Sequence, residues 1–169
     1  YPGHGAGSAC GKNMMKQTVD TLANQKKVNY ALNGSFTKSG FIKELTDDLP
    51  EPPNYFPSNV KLNQEGYLDF DKVLEKSLVP LELENFKSLS LENNTTILDV
   101  RNQNDFRTGF VPNSIFIGLN GGFAPWVGSV LKDINTKILL VCDNGQEQEA
   151  IMRLSRVGFD NCLGFLNGG

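Results

Sequence analysis

Histidine is nearly missing from the sequence: His4 is the only one among 169 residues. A protein-bound zinc or iron ordinarily takes three or four ligands, and no His-x-His pair stands elsewhere, so the chain by itself is expected to hold no metal. Cysteine is scarce too, with Cys10, Cys142 and Cys162 scattered along the chain. That is too few for a disulfide framework, and free thiols in a reducing cytoplasm are the expectation. Positive charge is thin: 16 Lys and Arg against 19 Asp and Glu leave a formal charge of -3. Phosphate-backbone binding relies on clustered cations, so nucleic acid is not an expected partner. Long apolar runs are lacking, because residues 138–141 make only a strand-sized stretch whereas a bilayer span needs roughly 18 residues. A membrane is therefore not expected. The opening YPGHGAGSACGK has no basic lead, apolar stretch or initiator methionine, so the chain reads as starting inside a longer protein rather than at a signal peptide.

What is present points to a folded chain. Hydrophobic residues are 39% and charged residues 21% of the total, well away from the composition of disorder. The length suits one ordinary core or two small ones. A Gly-rich loop over residues 3–11 permits tight turns and close approach to another group. A polar helix is predicted over residues 18–31, and Phe36, Phe41, Ile42 and Leu45 fall at near-helical spacing for a second. Pro50, Pro52, Pro53 and Pro57 then break the pattern. Residues 61–79 are mixed and polar, which suits a connection tracking the surface, and a boundary is placed near Asp69.

Beyond that boundary, short apolar stretches at 95–100, 114–117, 138–141 and 161–165 alternate with helical patterns at 105–107, 123–131 and 146–156. Strands recurring between helices predict a parallel sheet with helices on its faces, whose ligands bind beyond the carboxyl ends of the strands. Cys142 stands at such an end, followed by Asp143, Asn144, Gly145, Gln146 and Glu147. Turn amides and a helix N-terminus there would stabilise a thiolate or persulfide. The plain alternative is a small apolar side chain filling the end of the sheet. If the thiol is enclosed and turned from those amides, its role reduces to packing.

The segments ILDVRNQNDFRTGFVPNSIFIGL, LLVCDNGQEQEA and VGFDNCLGFLNGG resemble, in order and spacing, the rhodanese family over residues 82–169. The likeness puts that family's Asp-Val-Arg on Asp99, Val100 and Arg101, and its sulfur-carrying cysteine on Cys142. It implies sulfur-transfer ancestry, with sulfane sulfur held as a persulfide and passed to a thiophilic acceptor. The loop departs from the family: Asp143, Glu147 and Glu149 stand where cationic or polar residues surround the sulfur, Phe110 where histidine is common, and Asn113 where glycine is. Carboxylates raise a thiol's pKa and repel sulfite or thiosulfate, so a pseudo-rhodanese with little thiosulfate sulfurtransferase activity is predicted. Cys162, on an apolar background, is read as core.

The opening PGHGAGSACGKNM, the helix carrying Asn24, Gln25, Lys26 and Lys27, and NYFPSNVKLN resemble the C-terminal end of metallo-β-lactamase-fold proteins. Persulfide dioxygenases and glyoxalase-type hydrolases fused to rhodanese modules are the nearest in kind. That resemblance implies His4 beside the metal, or ligating a second ion, and Cys10 as a thiol presenting a persulfide. A small residue tolerated in a Gly/Ser-rich turn is the other reading of Cys10. The expected fold is α/β: the C-terminal piece of a metallo-β-lactamase fold over residues 1–68, a linker at 69–81, and a rhodanese-like parallel sheet with helices on both faces over 82–169.

Three functions stand as alternatives. The first is part of an iron-dependent dioxygenase acting on a low-molecular-weight thiol persulfide, with coupled sulfur transfer and with the N-terminal metallo-β-lactamase half as its missing partner. The second is a zinc-dependent thioester hydrolase, with His4 a true ligand. The third is a non-catalytic scaffold, self-association into a homo-oligomer included. For the third, Phe123, Pro125 and Trp126 form an apolar helix that covers either a partner or the core, the core being favoured.

Overall fold

The computed structural model describes residues 19–47 and 52–169. It divides into two compact units, Tyr1–Glu51 and Pro52–Gly169. In the first unit, Thr21 accepts a bond from the Asn24 amide at 3.2 Å and so opens α1 (Leu22–Val28). Thr37 does the same for α2 (Lys38–Thr46) through the Gly40 amide at 3.2 Å. Such caps satisfy amides that have no partner within the helix. The helix predicted over 18–31 is shorter than its pattern because Asn29 turns to extended geometry (φ -82°, ψ 116°). Neither helix buries a residue.

The second unit runs α3 (Phe56–Glu65), α4 (Phe70–Ser77), β1 (Pro80–Leu81), α5 (Leu83–Ser90), β2 (Thr95–Asp99), α6 (Gln103–Thr108), β3 (Ile115–Phe116), α7 (Phe123–Val130), β4 (Lys137–Val141), α8 (Glu147–Ser155) and β5 (Cys162–Leu166). The strands form one parallel sheet in the order β1-β5-β4-β2-β3. Sequential strands step outward on opposite sides of the β2/β4 pair, which makes the crevice beyond those two ends the topological switch point. Asp99 pairs with Val141 across it.

Alternation along the strands splits the interior into two layers. Leu98, Val100, Ile138, Leu140 and Cys142 face one core with Phe123 and Val127 of α7 and Ala150, Ile151 and Leu154 of α8. Ile97, Leu139 and Val141 face the other with Leu81 and Phe86. Leu98, Ile138, Leu139 and Leu140 are fully enclosed, each contributing about 1.5–3 kcal/mol by leaving water. The α/β architecture expected from the sequence is the one observed.

Residues 61–79 are not a surface connection. Pro57 sits in the first turn of α3, where a missing amide costs nothing, Gly66 ends that helix at φ +96°, and Asp69 caps α4 through the Asp71 amide at 2.9 Å. Val73 and Ser77 of α4 are buried, and β1 joins β5. The stretch expected as a linker, 69–81, is thus occupied by α4 and β1. Helix α5 is a further addition to the expected elements, and Phe86, at 2% exposure, anchors it to the second core layer. Tyr55 lies against Gly128 of α7, where an added methyl would overlap its ring. Among the described residues no helix is long and apolar enough to cross a membrane.

Candidate functional site at the ends of β2 and β4

The end of β2 and the segment after it carry charge into the interior. Asp99 is 0% exposed, and Arg101 closes on it with Nε to Oδ1 at 3.0 Å and Nη2 to Oδ2 at 2.7 Å. The Arg101 backbone amide adds a bond to Oδ1 at 3.1 Å, while Nη2 also donates to the Gly109 carbonyl at 2.9 Å. The hydrogen bonds to Asp99 hold the Arg101 pKa above its ordinary value, against the opposing effect of burial. A guanidinium held in this way through Nε and Nη2 ties β2 to the end of α6, while Nη1 makes no hydrogen bond among the described residues.

The end of β4 is built differently. Cys142 is 2% exposed and packs in the main core layer. Burial pushes its thiol pKa up to about 12, with Glu147, Cys162, Asp143 and Asp99 adding repulsion. The turn after it is closed on itself: the Gln146 amide donates to the Asp143 carbonyl at 3.0 Å, and Gly145 takes φ +86°. Asn144 is exposed at the tip. Among the described residues no amide donates to the Cys142 sulfur to offset its burial. Its surroundings are those of a protonated, packed thiol.

The acidic residues after Cys142 have a structural reason. Glu147 and Glu149 occupy the first turn of α8, where the helix dipole favours negative charge, and Gln146 makes no side-chain cap. Glu149 accepts from Arg153 Nε at 2.6 Å, and Arg153 Nη1 donates to the Leu119 carbonyl at 2.6 Å. Negative charge from the chain's own carboxylates is thereby placed at the positive end that would hold a sulfur anion. Arg153, which no sequence motif singles out, is the residue that binds this helix to the segment after β3.

Beyond the two strand ends lies a cleft of about 290 Å³ lined by Val100, Arg101, Asn102, Leu119, Asn120, Asp143, Asn144 and Gln146. Amide side chains dominate its polar wall, and Cys142 is not part of the lining. Phe110 is 59% exposed and stacks on Phe106 at 4.8 Å. Asn113 holds φ +66°, so the position keeps the left-handed backbone that glycine favours and asparagine tolerates. Cys162 is buried as expected, its thiol also pushed up to about 12 by burial. Both described cysteines are free, and Cys162 pairs with Ile138 across the sheet, not with Cys142. Trp126 is 64% exposed, while Phe123 and Val127 of the same helix fill the core; the favoured assignment of Trp126 to the core is corrected. His4 and Cys10 lie outside the described residues.

The rhodanese-like domain family matches residues 82–169, more than half of the chain. No curated protein matches. A crystal structure of a metallo-β-lactamase from Staphylococcus aureus subsp. aureus COL is similar over 98% of this chain, at 25% sequence identity and a TM-score of 0.63. This chain spans 44% of the length of that one. A parallel sheet with Asp99 and Arg101 at one strand end and Cys142 at the next, under a family match that begins at residue 82, leads to one assignment: the chain belongs to the rhodanese-like family.

Proposed function

We propose that this chain is part of an iron-dependent persulfide dioxygenase of the metallo-β-lactamase superfamily, coupled to sulfur transfer, in which the rhodanese-like module is a framework and not the sulfur carrier. The observation that carries the reading is the likeness of 98% of this chain to one metallo-β-lactamase chain more than twice as long, with a rhodanese-like domain at residues 82–169. A single parent would then hold metal chemistry on one side and a sulfur-transfer fold on the other. In net terms a low-molecular-weight thiol persulfide, dioxygen and water become the free thiol and sulfite. Among the described residues no group of three His, Cys, Asp or Glu side chains is placed to hold a metal ion. The parent's other half would hold the metal, with His4 of this chain beside it and Cys10 relaying sulfane sulfur, in a cytoplasmic setting.

The framework role for the module is supported by the enclosure of Cys142 and by the carboxylates at the start of α8. The test uses the full-length parent. Its metal content is measured together with oxygen uptake on glutathione persulfide. Iron with stoichiometric oxygen consumption and sulfite release is the expected result. A dinuclear zinc site that hydrolyses thioesters and leaves oxygen untouched would overturn the proposal.

A further inference from the structure

The sequence contains four Asn-Gly pairs, Asn33-Gly34, Asn120-Gly121, Asn144-Gly145 and Asn167-Gly168. This dipeptide can cyclise without an enzyme. The glycine nitrogen attacks the side-chain carbonyl carbon of asparagine, a C–N bond forms, and the side-chain nitrogen leaves as ammonia, taking up the amide proton. Water then opens the five-membered succinimide to aspartate or isoaspartate. One water enters and one ammonia leaves, with no change of oxidation state. Glycine suits the reaction because no Cβ blocks its nitrogen and its backbone can turn freely.

The glycine half does not separate the four sites. All four glycines have positive φ, with nothing within 4 Å of where a Cβ would stand, and among the described residues none of their amides makes a backbone hydrogen bond. All four asparagines are exposed. The asparagine half does separate them. Asn33 Oδ1 accepts from the Ser35 amide at 3.0 Å, and Asn167 Nδ2 donates to Glu82 Oε1 at 2.8 Å. Each of those side chains must break a bond to swing toward the next nitrogen. Asn120 and Asn144 make no such bond among the described residues, and both line the cleft beyond β2 and β4.

We infer that Asn144 and Asn120, whose side-chain amides are unpaired in that cleft, are sites of spontaneous deamidation, and that Asn33 and Asn167 are protected by the bonds their side chains make. Asparagine is among the chemically labile residues of proteins. Each conversion places a new carboxylate in the cleft that Asp143 lines, so ageing turns an amide-lined cleft into an acidic one. At Asn144, isoaspartate also adds a backbone methylene to the turn after Cys142. The difference among the four sites is one of side-chain geometry and holds whatever the parent enzyme does.

The test is peptide mapping by mass spectrometry after incubating the folded chain at mildly alkaline pH, with isoaspartate methyltransferase labelling. The peptides carrying Asn144 and Asn120 are expected to gain one mass unit ahead of the other two, faster at higher pH. In denaturant the four sites should converge. Glu82→Ala, which removes the partner of Asn167, should bring that site up to the rate of Asn144. Equal rates at all four sites in the folded chain, an unreactive Asn144, or no acceleration at Asn167 in Glu82→Ala would overturn it.

Discussion

The neighbouring ends of β2 and β4 met opposite fates. At β2, the fully buried Asp99 pairs with a partly buried Arg101, which also donates to the Gly109 carbonyl. At β4, Cys142, which the resemblance would make the sulfur carrier, is sunk in the core under a turn closed by its own backbone. The pair at β2 supports the sheet directly, since removing Arg101 leaves the buried Asp99 charge unmatched. The turn at β4 is exposed and held by one backbone bond, so its side chains are free to diverge. The rhodanese-like framework thus stands on β2, whatever the turn after β4 carries.

Substitutions at β2 are expected to cost the most stability. Arg101→Ala leaves the fully buried Asp99 carboxylate without its guanidinium and should lower unfolding free energy by about 3–5 kcal/mol, read from urea denaturation midpoints at unchanged slope. An effect below about 1 kcal/mol would mean that the pair is solvent-screened like a surface bridge. At β4, Cys142→Ser places a hydroxyl in an apolar layer with no partner, costing about 1–3 kcal/mol in the same experiment. A neutral result there would point to a thiol that already faces water.

Alkaline pH sharpens the contrast further. Both buried thiols have pKa values raised from an ordinary 9.0 to about 12 in the folded chain. The unfolded chain releases those protons first, so stability is intact below pH 9 and falls progressively as pH rises toward 12. Cys142→Ala should flatten part of that slope. Smallest of all, Asp143→Ala in the exposed turn should shift stability by no more than about 0.5 kcal/mol. A larger loss in thermal or urea unfolding would show that the turn has a structural role equal to that of β2.

Much of this architecture is legible in the sequence. The apolar stretches at 95–100 and 138–141 mark central strands because a parallel sheet buries both faces, and β4 is enclosed from Ile138 to Val141. Cys162 as core accords with its apolar neighbours. Helix α4 is harder to see, although Phe70, Val73, Leu74 and Ser77 keep helical spacing, because the many charges between them hide the buried stripe. Prolines around residue 57 signal a break, yet one of them begins a helix. Trp126 is misleading because Phe123–Val130 is apolar all round, so no polar face in the sequence says which side meets water. The pairing of Arg153 with Glu149 and the Leu119 carbonyl joins α8 to a segment 34 residues away, which no local pattern shows.

The contrast between β2 and β4 rests on an enclosed Cys142 that carries no sulfane sulfur. Its most direct test treats the folded chain with thiosulfate and measures the mass of the Cys142 peptide under non-reducing conditions, alongside thiocyanate release on adding cyanide. An unmodified thiol and no cyanide-dependent product are predicted. A stoichiometric persulfide on Cys142 with catalytic thiocyanate formation would contradict the claim.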